Sequence, residues 1–219
     1  MAMQIDILTL FPDMFKGPFD ASIIKRAESR ELIKINVHDL RKWGETDRRN
    51  VDDRPYGGGP GMLLRVDILD AAISNFQFPI SNKNRRKIIL LDATGERYTE
   101  AKAIELSKLD HIILIAGHYE GVDHRVHEHL VDEVISIGDY VLTGGEIPSM
   151  VLVDSVIRLI PGVLGKDESS ADESHKEPGY LEYPQYTRPE VYKKWKVPEV
   201  LLSGHHKNIE GWRKKKSGL

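Results

Sequence analysis

Ser136-Ile137-Gly138-Asp139-Tyr140-Val141-Leu142-Thr143-Gly144-Gly145-Glu146 carries the chain from a strand into a helix through a glycine-rich turn. Upstream, Val134, Ile135 and Ile137 read as a buried strand that stops at Gly138. Downstream, a helix starts near Glu146 and Ile147 and has Pro148 in its first turn, where a missing N–H costs little. Glycines after a strand let main chain approach a ligand closely and tolerate positive φ. Tyr140 offers a flat face, Leu142 an apolar wall and Asp139 an acceptor, features that suit a purine. An ordinary strand-to-helix turn has the same local pattern, so the stretch takes its meaning from its neighbours.

On either side, strand-like and helix-like segments alternate. Residues 4–10 and 33–37 read as strands, with a helix over 20–30 between them. Residues 41–61 read as a long loop, and 66–76 is helical by apolar spacing. Then come a strand at 87–91, a helix at 99–108, a strand at 111–116, a helix at 123–130 and the strongest helix at 146–160. The central strands are apolar throughout, as strands covered on both faces must be. The pattern predicts an α/β fold, a mainly parallel sheet with helices on both faces. After Pro161 the chain turns polar and acidic through Tyr186, and a helix near 209–215 closes a basic remainder. The expected organisation is an α/β domain over 1–160, an acidic interdomain loop over 161–186 and a small basic helical domain over 187–219.

The 219 residues suffice for one large domain with an appendage. Without cysteine there is no disulfide framework, thiolate metal site or thiol nucleophile. No apolar run approaches the roughly 18 residues of a membrane span, and the start lacks a signal-peptide pattern. A cytoplasmic protein with no membrane partner is the expectation. The net charge of −3 argues against a uniformly basic coat. Yet Lys193, Lys194, Lys196, Lys207, Arg213, Lys214, Lys215 and Lys216 crowd the last segment, while Asp167, Glu168, Asp172, Glu173, Glu177 and Glu182 crowd the one before it. Each cluster alone is a solvated face. Together they fit a polyanion binder that does carboxylate chemistry at one point.

Three successive strands run into glycine-bearing segments: Leu91-Asp92-Ala93-Thr94-Gly95-Glu96, Ala116-Gly117-His118-Tyr119-Glu120-Gly121, and the turn at 138–145. Ligands of open parallel sheets bind beyond the carboxyl ends of strands. One shared, backbone-lined pocket for a small nucleoside is therefore predicted. The first strand lacks a Gly-x-Gly-x-x-Gly, and the loop at 57–61 lacks the Lys-Ser/Thr of a phosphate loop. His118 is either a general base or a hydrogen-bonding loop residue. His205-His206 has no supporting carboxylates, so no metal site is expected.

Five motifs in order carry a resemblance: Pro55-Tyr56-Gly57-Gly58-Gly59-Pro60-Gly61-Met62, Gly117-His118-Tyr119-Glu120-Gly121-Val122-Asp123, the stretch at 136–146, Pro161-Gly162-Val163-Leu164-Gly165, and Glu182-Tyr183-Pro184-Gln185-Tyr186-Thr187-Arg188-Pro189. From the first strand to Trp212 the chain resembles the bacterial tRNA (guanine(37)-N1)-methyltransferases of the SPOUT superfamily. That resemblance implies a deep C-terminal trefoil knot, a rare exception to the unknotted rule. It implies tRNA as substrate, S-adenosyl-L-methionine as methyl donor, and a homodimer with each active site shared between subunits. It leaves Mg2+ open.

Guanine N1 carries a proton at neutral pH, so the reaction calls for a general base, and charge on O6 calls for a cation. By family position the base falls on Glu173, where most relatives carry Asp, with Asp172 the adjacent alternative; the cation is Arg158. The resemblance assigns the methyl donor to Gly117, Ile137, Gly138, Asp139, Tyr140, Val141 and Leu142, with Leu91, Tyr119, Glu120, Gly144, Gly145 and Pro148 alongside. It assigns Asp53, Gly59 and Ser169 to the substrate, and Lys214 and Lys215 to tRNA phosphates, which give affinity without sequence choice. The alternatives are a non-catalytic RNA-binding protein on the same scaffold and a ribose 2′-O-methyltransferase of the same superfamily.

Overall fold

Leucine- and isoleucine-rich segments without a polar face need cover on both sides, and their side chains divide between two apolar layers. The computed structural model describes residues 2–45, 49–76, 85–164, 174–175 and 179–218. Two compact units result, Met1–Gly165 and Lys166–Leu219. In chain order the first holds β1 (Met3–Thr9), α1 (Ser22–Ser29), β2 (Ile33–Asp39), β3 (Asp52–Asp53), β4 (Leu63–Leu64), α2 (Val66–Ser74) and β5 (Arg86–Arg97). There follow α3 (Glu100–Leu106), β6 (His111–Ala116), α4 (His124–His129), β7 (Glu133–Ser136) and α5 (Glu146–Ile157). Five strands form one sheet in the order β2-β1-β6-β5-β7, and each neighbouring pair is parallel.

Along each central strand, alternate residues enter opposite layers. Ile5, Ile7, Ile89, Leu91, Ile112 and Leu114 pack with Ile24 of α1, Leu106 of α3 and Leu152, Val153 and Val156 of α5. Leu8, Ile88, Leu90, Ile113 and Ile115 pack with Ile68, Leu69 and Ala72 of α2 and Val126 of α4. Each fully buried Leu or Ile contributes about 1.5–3 kcal/mol, so the sheet is a stiff base for the loops at its edges.

The helices start where their caps are. Thr99 accepts from the Lys102 amide and Asp123 from the Arg125 amide, which places both residues just ahead of their helices. Three expectations need correction. The segment 91–96 is not a loop after a strand but an excursion within β5: pairing with Ile135 breaks at Leu91 and resumes at Glu96. Asp92 Oδ1 pinches that excursion by accepting from the amide and hydroxyl of Thr94, at 2.8 and 2.7 Å. The strongest helix ends at Ile157 instead of 160, with Arg158 as its C-cap. The expected loop at 41–61 includes a 3-10 turn at Leu40–Trp43 and the strand β3, which pairs with β4.

Asp6 of β1 is a buried acid with four partners. His38 and Asn36 reach Oδ1 at 2.6 and 2.9 Å, while His111 and Gln4 reach Oδ2 at 2.6 Å each. Burial alone would raise its pKa, but the bonds from His111, His38, Gln4 and Asn36 together hold it well below the usual carboxylate range.

The second unit carries a hairpin, β8 (Val191–Tyr192) and β9 (Trp195–Lys196), then α6 (Glu199–Leu202) and α7 (His206–Lys216). None of residues 179–218 is fully buried. Its small interior rests on Tyr186 against Trp212 at 6.3 Å and on Arg213 stacked 4.8 Å from the Tyr183 ring. Among the described residues no helix is long and apolar enough to cross a membrane.

Candidate active site

The carboxyl ends of β6 and β7 and the excursion within β5 surround a cavity of about 270 Å³, just below the ~300–1,000 Å³ common for small-molecule sites. Its walls are residues 91–94, 117–121, 135–138 and 140–145, with Pro148 from the first turn of α5. Three chain segments thus meet at one point, as the glycine pattern predicts. Leu91, Gly117, Tyr119, Glu120, Ile137, Gly138, Tyr140, Val141, Leu142, Gly144, Gly145 and Pro148 all line it. Asp139 does not: its side chain is 86% exposed and lies 3.3 Å from Arg97.

Two of the segments are joined main chain to main chain. The Gly145 amide donates to the Gly117 carbonyl at 2.7 Å. A Cβ on Gly145 would sit 2.6 Å from Ala116 Cα and 2.8 Å from the Gly117 nitrogen, so only glycine permits this approach. The 117–121 loop is also pinned to the β4 region, through Glu120 N to Met62 O at 3.1 Å and Leu64 N to Gly121 O at 3.0 Å. Within it Tyr119 holds φ +62, a left-handed conformation that non-glycine residues adopt at a cost. Burial, and then the charge of Asp52, raise the pKa of its phenol. Tyr140 lays its ring against Gly138 and donates to the Ile137 carbonyl at 3.4 Å.

Behind the wall lies a group the sequence pattern did not expose. Glu146, buried at the N-terminus of α5, accepts from Thr9 Oγ1 at 2.7 Å. Its other oxygen faces His118 Nδ1 at 3.7 Å, a buried nitrogen with no hydrogen-bond partner. The His118 ring meets Phe11 at a tilt of 53°, centroids 4.7 Å apart. A Cβ on Gly144 would fall 2.4 Å from Glu146 and 2.5 Å from His118. The visible signal was an acid directly after Gly144-Gly145. Its partner Thr9 is 137 positions away, and no local pattern links them.

The remaining site residues stand elsewhere. Arg158 caps the far end of α5, and the residues after it, Leu159, Ile160 and Pro161, line a hollow at the amino edge of the sheet with Met3, Leu32 and Arg85. A strand of six residues such as β6 spans about 20 Å, so cavity and arginine are a sheet height apart within one copy. Asp53 is exposed on β3 and accepts from the Arg54 amide at 2.7 Å. Gly59, at φ +129, is exposed in the 54–61 loop. Neither lines the cavity. On α7, Lys214 pairs with Glu210 at 2.8 Å, and Lys215 is exposed. Glu173, Asp172 and Ser169 lie outside the described residues. Among the described residues no group of three or more His, Asp or Glu is placed to hold a metal ion.

A doubly covered parallel sheet with glycine segments meeting at its carboxyl edge defines an α/β protein with a nucleoside-type site. Sequence comparison sharpens that class. The family described as tRNA (guanine-1)-methyltransferase TrmD matches residues 3–219. A tRNA (guanine-N(1)-)-methyltransferase of Bacillus pumilus (strain SAFR-032) is 51% identical over 215 residues, 98% of this chain and 87% of that relative. Proteins of the same description from Bacillus cereus (strain AH820) and Bacillus anthracis (strain A0248) are 50% identical with the same coverage. The chain belongs to the tRNA (guanine-1)-methyltransferase family, the one its five motifs resemble. It is accordingly a methyltransferase of tRNA modification that acts at guanine N1.

Proposed function

We propose that this chain moves a methyl group from S-adenosyl-L-methionine to N1 of guanosine-37, next to the anticodon of tRNA. The observation that carries this reading is the cavity where three glycine-bearing segments of a tRNA guanine-N1 methyltransferase meet. Its lining suits an adenosyl group: main chain of three segments forms the walls, and Tyr140 and Leu142 offer apolar faces for the ring. Gly117, Ile137, Gly138, Tyr140, Val141, Leu142 and Gly144 would hold the donor, with Leu91, Tyr119, Glu120 and Pro148 around them. Bound there, the donor supplies an electrophilic methyl group.

The chain's own groups supply the proton chemistry. In this reading the Glu173 carboxylate accepts the N1 proton, with Asp172 the adjacent alternative, and the Arg158 guanidinium balances charge on O6. Asp53, Gly59 and Ser169 face the guanosine, and Lys214 and Lys215 meet phosphates.

Arg158 stands at the opposite sheet edge from the cavity, which supports a homodimer in which each site uses residues of both copies. Ile147 and Val151, 47% and 40% exposed on the outer side of α5, supply apolar contacts for such a partner, with the exposed Asp154 one turn further along the same side. The reading further includes a deep trefoil knot around the donor cavity, a cytoplasmic location, and domains over 1–160, 161–186 and 187–219.

The test is transfer of labelled methyl from the donor to tRNA transcripts that carry or lack guanosine beside the anticodon. Label confined to the guanosine-bearing transcript is the expected result, and equal labelling of both would overturn the site assignment. Glu173→Gln should lower kcat about 10²–10⁴-fold while donor affinity changes little. Undiminished turnover in that variant places the base elsewhere.

A further inference from the structure

Three aromatic side chains of the second unit pack against the α7 helix or its neighbours, and two others stand on the hairpin. Tyr183 lies under Arg213, and Tyr186 meets Trp212. Tyr192 and Trp195, by contrast, stand opposite each other across the β8–β9 hairpin. Their ring centroids are 5.8 Å apart at an interplanar angle of 48°. They remain 56% and 69% exposed. Tryptophan is seldom left so open without a binding role, because its large apolar surface favours burial.

The hairpin is also basic. Lys193 and Lys194 form its tip and Lys196 its second strand. The Lys193 ammonium sits 5.6 Å from the Tyr192 centroid and 5.8 Å from that of Trp195. Lys214 on α7 is paired with Glu210, whereas the hairpin lysines have no carboxylate partner among the described residues. Lys193 holds φ +55, the left-handed region where glycine or asparagine is favoured. A lysine kept there fixes an ammonium at the tip at some backbone cost, a pattern that accompanies function. The bond from Val197 N to Glu190 O at 2.9 Å extends the ladder and steadies the platform.

We propose that the β8–β9 hairpin is a stacking platform for one unpaired nucleotide of the tRNA substrate, with Trp195 and Tyr192 taking the base and Lys193 and Lys194 the flanking phosphates. Proteins read single-stranded RNA by stacking splayed bases on aromatic rings beside cationic groups. Charge favours RNA over a protein partner: exposed aromatics ringed by lysines match a polyanion with flat bases. The cation over the two rings marks the place a base would enter, and it can turn outward to a phosphate when the base arrives. This inference rests on the tRNA substrate proposed above and adds a recognition element separate from the donor cavity.

The experiment uses the full chain and an unmodified tRNA transcript. Trp195→Ala should raise the tRNA Kd about 5- to 150-fold, the span of base–aromatic stacking, with donor affinity unchanged in the first unit and an unchanged amide NMR dispersion of residues 179–218 as proof that the second unit folds. Trp195→Phe should restore most of the binding. Titration with tRNA should quench a part of the fluorescence that Trp195→Phe lacks; this difference isolates one of the three tryptophans. Lys193→Ala and Lys194→Ala should each lower the salt slope of binding by about one. A tRNA Kd for Trp195→Ala within twofold of the parent overturns the proposal. So does a change in its sedimentation with RNA binding intact, which would mark the hairpin as a protein-docking surface. A parent chain that binds tRNA but transfers no methyl refutes the proposed function instead, and leaves the hairpin to be decided by the binding arm.

Discussion

Gly145→Ala tests the central structural claim, that the proposed donor cavity exists because two loops touch main chain to main chain. Gly145 has φ −82 and ψ 0, so alanine suits the backbone and gains about 0.4–1 kcal/mol by restricting the unfolded chain. Space is the obstacle. The new Cβ would lie 2.6 Å from Ala116 Cα, whereas carbon atoms rest about 3.5–4.0 Å apart. The loops must separate by about 1 Å, and neither neighbour is a side-chain tip that can swing aside. Overpacking of this kind costs about 1–3 kcal/mol. Stretching the 2.7 Å bond from Gly145 N to Gly117 O forfeits up to a further ~0.5–1.5 kcal/mol. With central values for each effect the net loss is about 2 kcal/mol, a fall in Tm of roughly 4–8 °C for a chain of this size. Donor binding should suffer more than stability, because displacement of a site by about 1 Å can cost about 10²-fold. Isothermal titration with S-adenosyl-L-methionine reads the second effect and thermal unfolding the first. Donor affinity within threefold of the parent, at an unchanged Tm, would refute the close-approach argument.

Two further substitutions probe other parts of the first unit. Asp6→Asn leaves His38 and His111 with a poorer acceptor, and should cost about 1–3 kcal/mol at neutral pH. The Asp6 pKa is lowered from 3.8, so its stabilisation is complete above about pH 4 and is lost as pH falls through the lower folded value. Urea midpoints measured on acidification below pH 4 should therefore drop more steeply for the parent than for Asp6→Asn, and parallel curves would refute the role of the buried acid. Val151→Lys changes an outward position of α5 and should alter monomer stability by no more than about 0.5 kcal/mol. It should convert the proposed dimer to monomers in sedimentation and abolish transfer while donor affinity persists; an active, unchanged sedimenting species would refute the shared site.

The sheet was readable because its causes are local. A run such as Ile112, Ile113, Leu114, Ile115 has no polar face to offer water, and it lies buried in both layers. The cavity was partly readable: the glycine segments after β6 and β7 share an edge once the strands are parallel, and the excursion within β5 joins them there. The excursion at 92–95 was not, since it depends on Asp92 folding back on Thr94 and on renewed pairing with Ile135. Asp139 was read as an acceptor for the site, whereas its exposed side chain lies 3.3 Å from Arg97, a neighbour distant in sequence. The Thr9–Glu146–His118 group escaped notice because burial, not composition, makes a glutamate there significant. Motif resemblance supplied the family, whereas the strand register behind Glu146 needed coordinates.

The position of α5 gives the strongest reason to expect two copies in the working enzyme. Its twelve residues span about 18 Å, from the cavity at Gly145 and Pro148 to the C-cap Arg158, which precedes the Leu159–Pro161 turn at the other sheet edge. Leu152, Val153 and Val156 lock the helix to the sheet, so no modest motion carries the arginine to the cavity of its own copy. A twofold-related chain docked on Ile147 and Val151 removes the difficulty. Isologous packing sets the same patch against itself, and antiparallel helices then place the C-terminus of each beside the N-terminus of the other. The apolar outer face of α5 and the misplaced cation are then one feature with one explanation. It follows that a monomeric variant should bind the methyl donor normally and still be unable to neutralise the charge that develops on guanine O6.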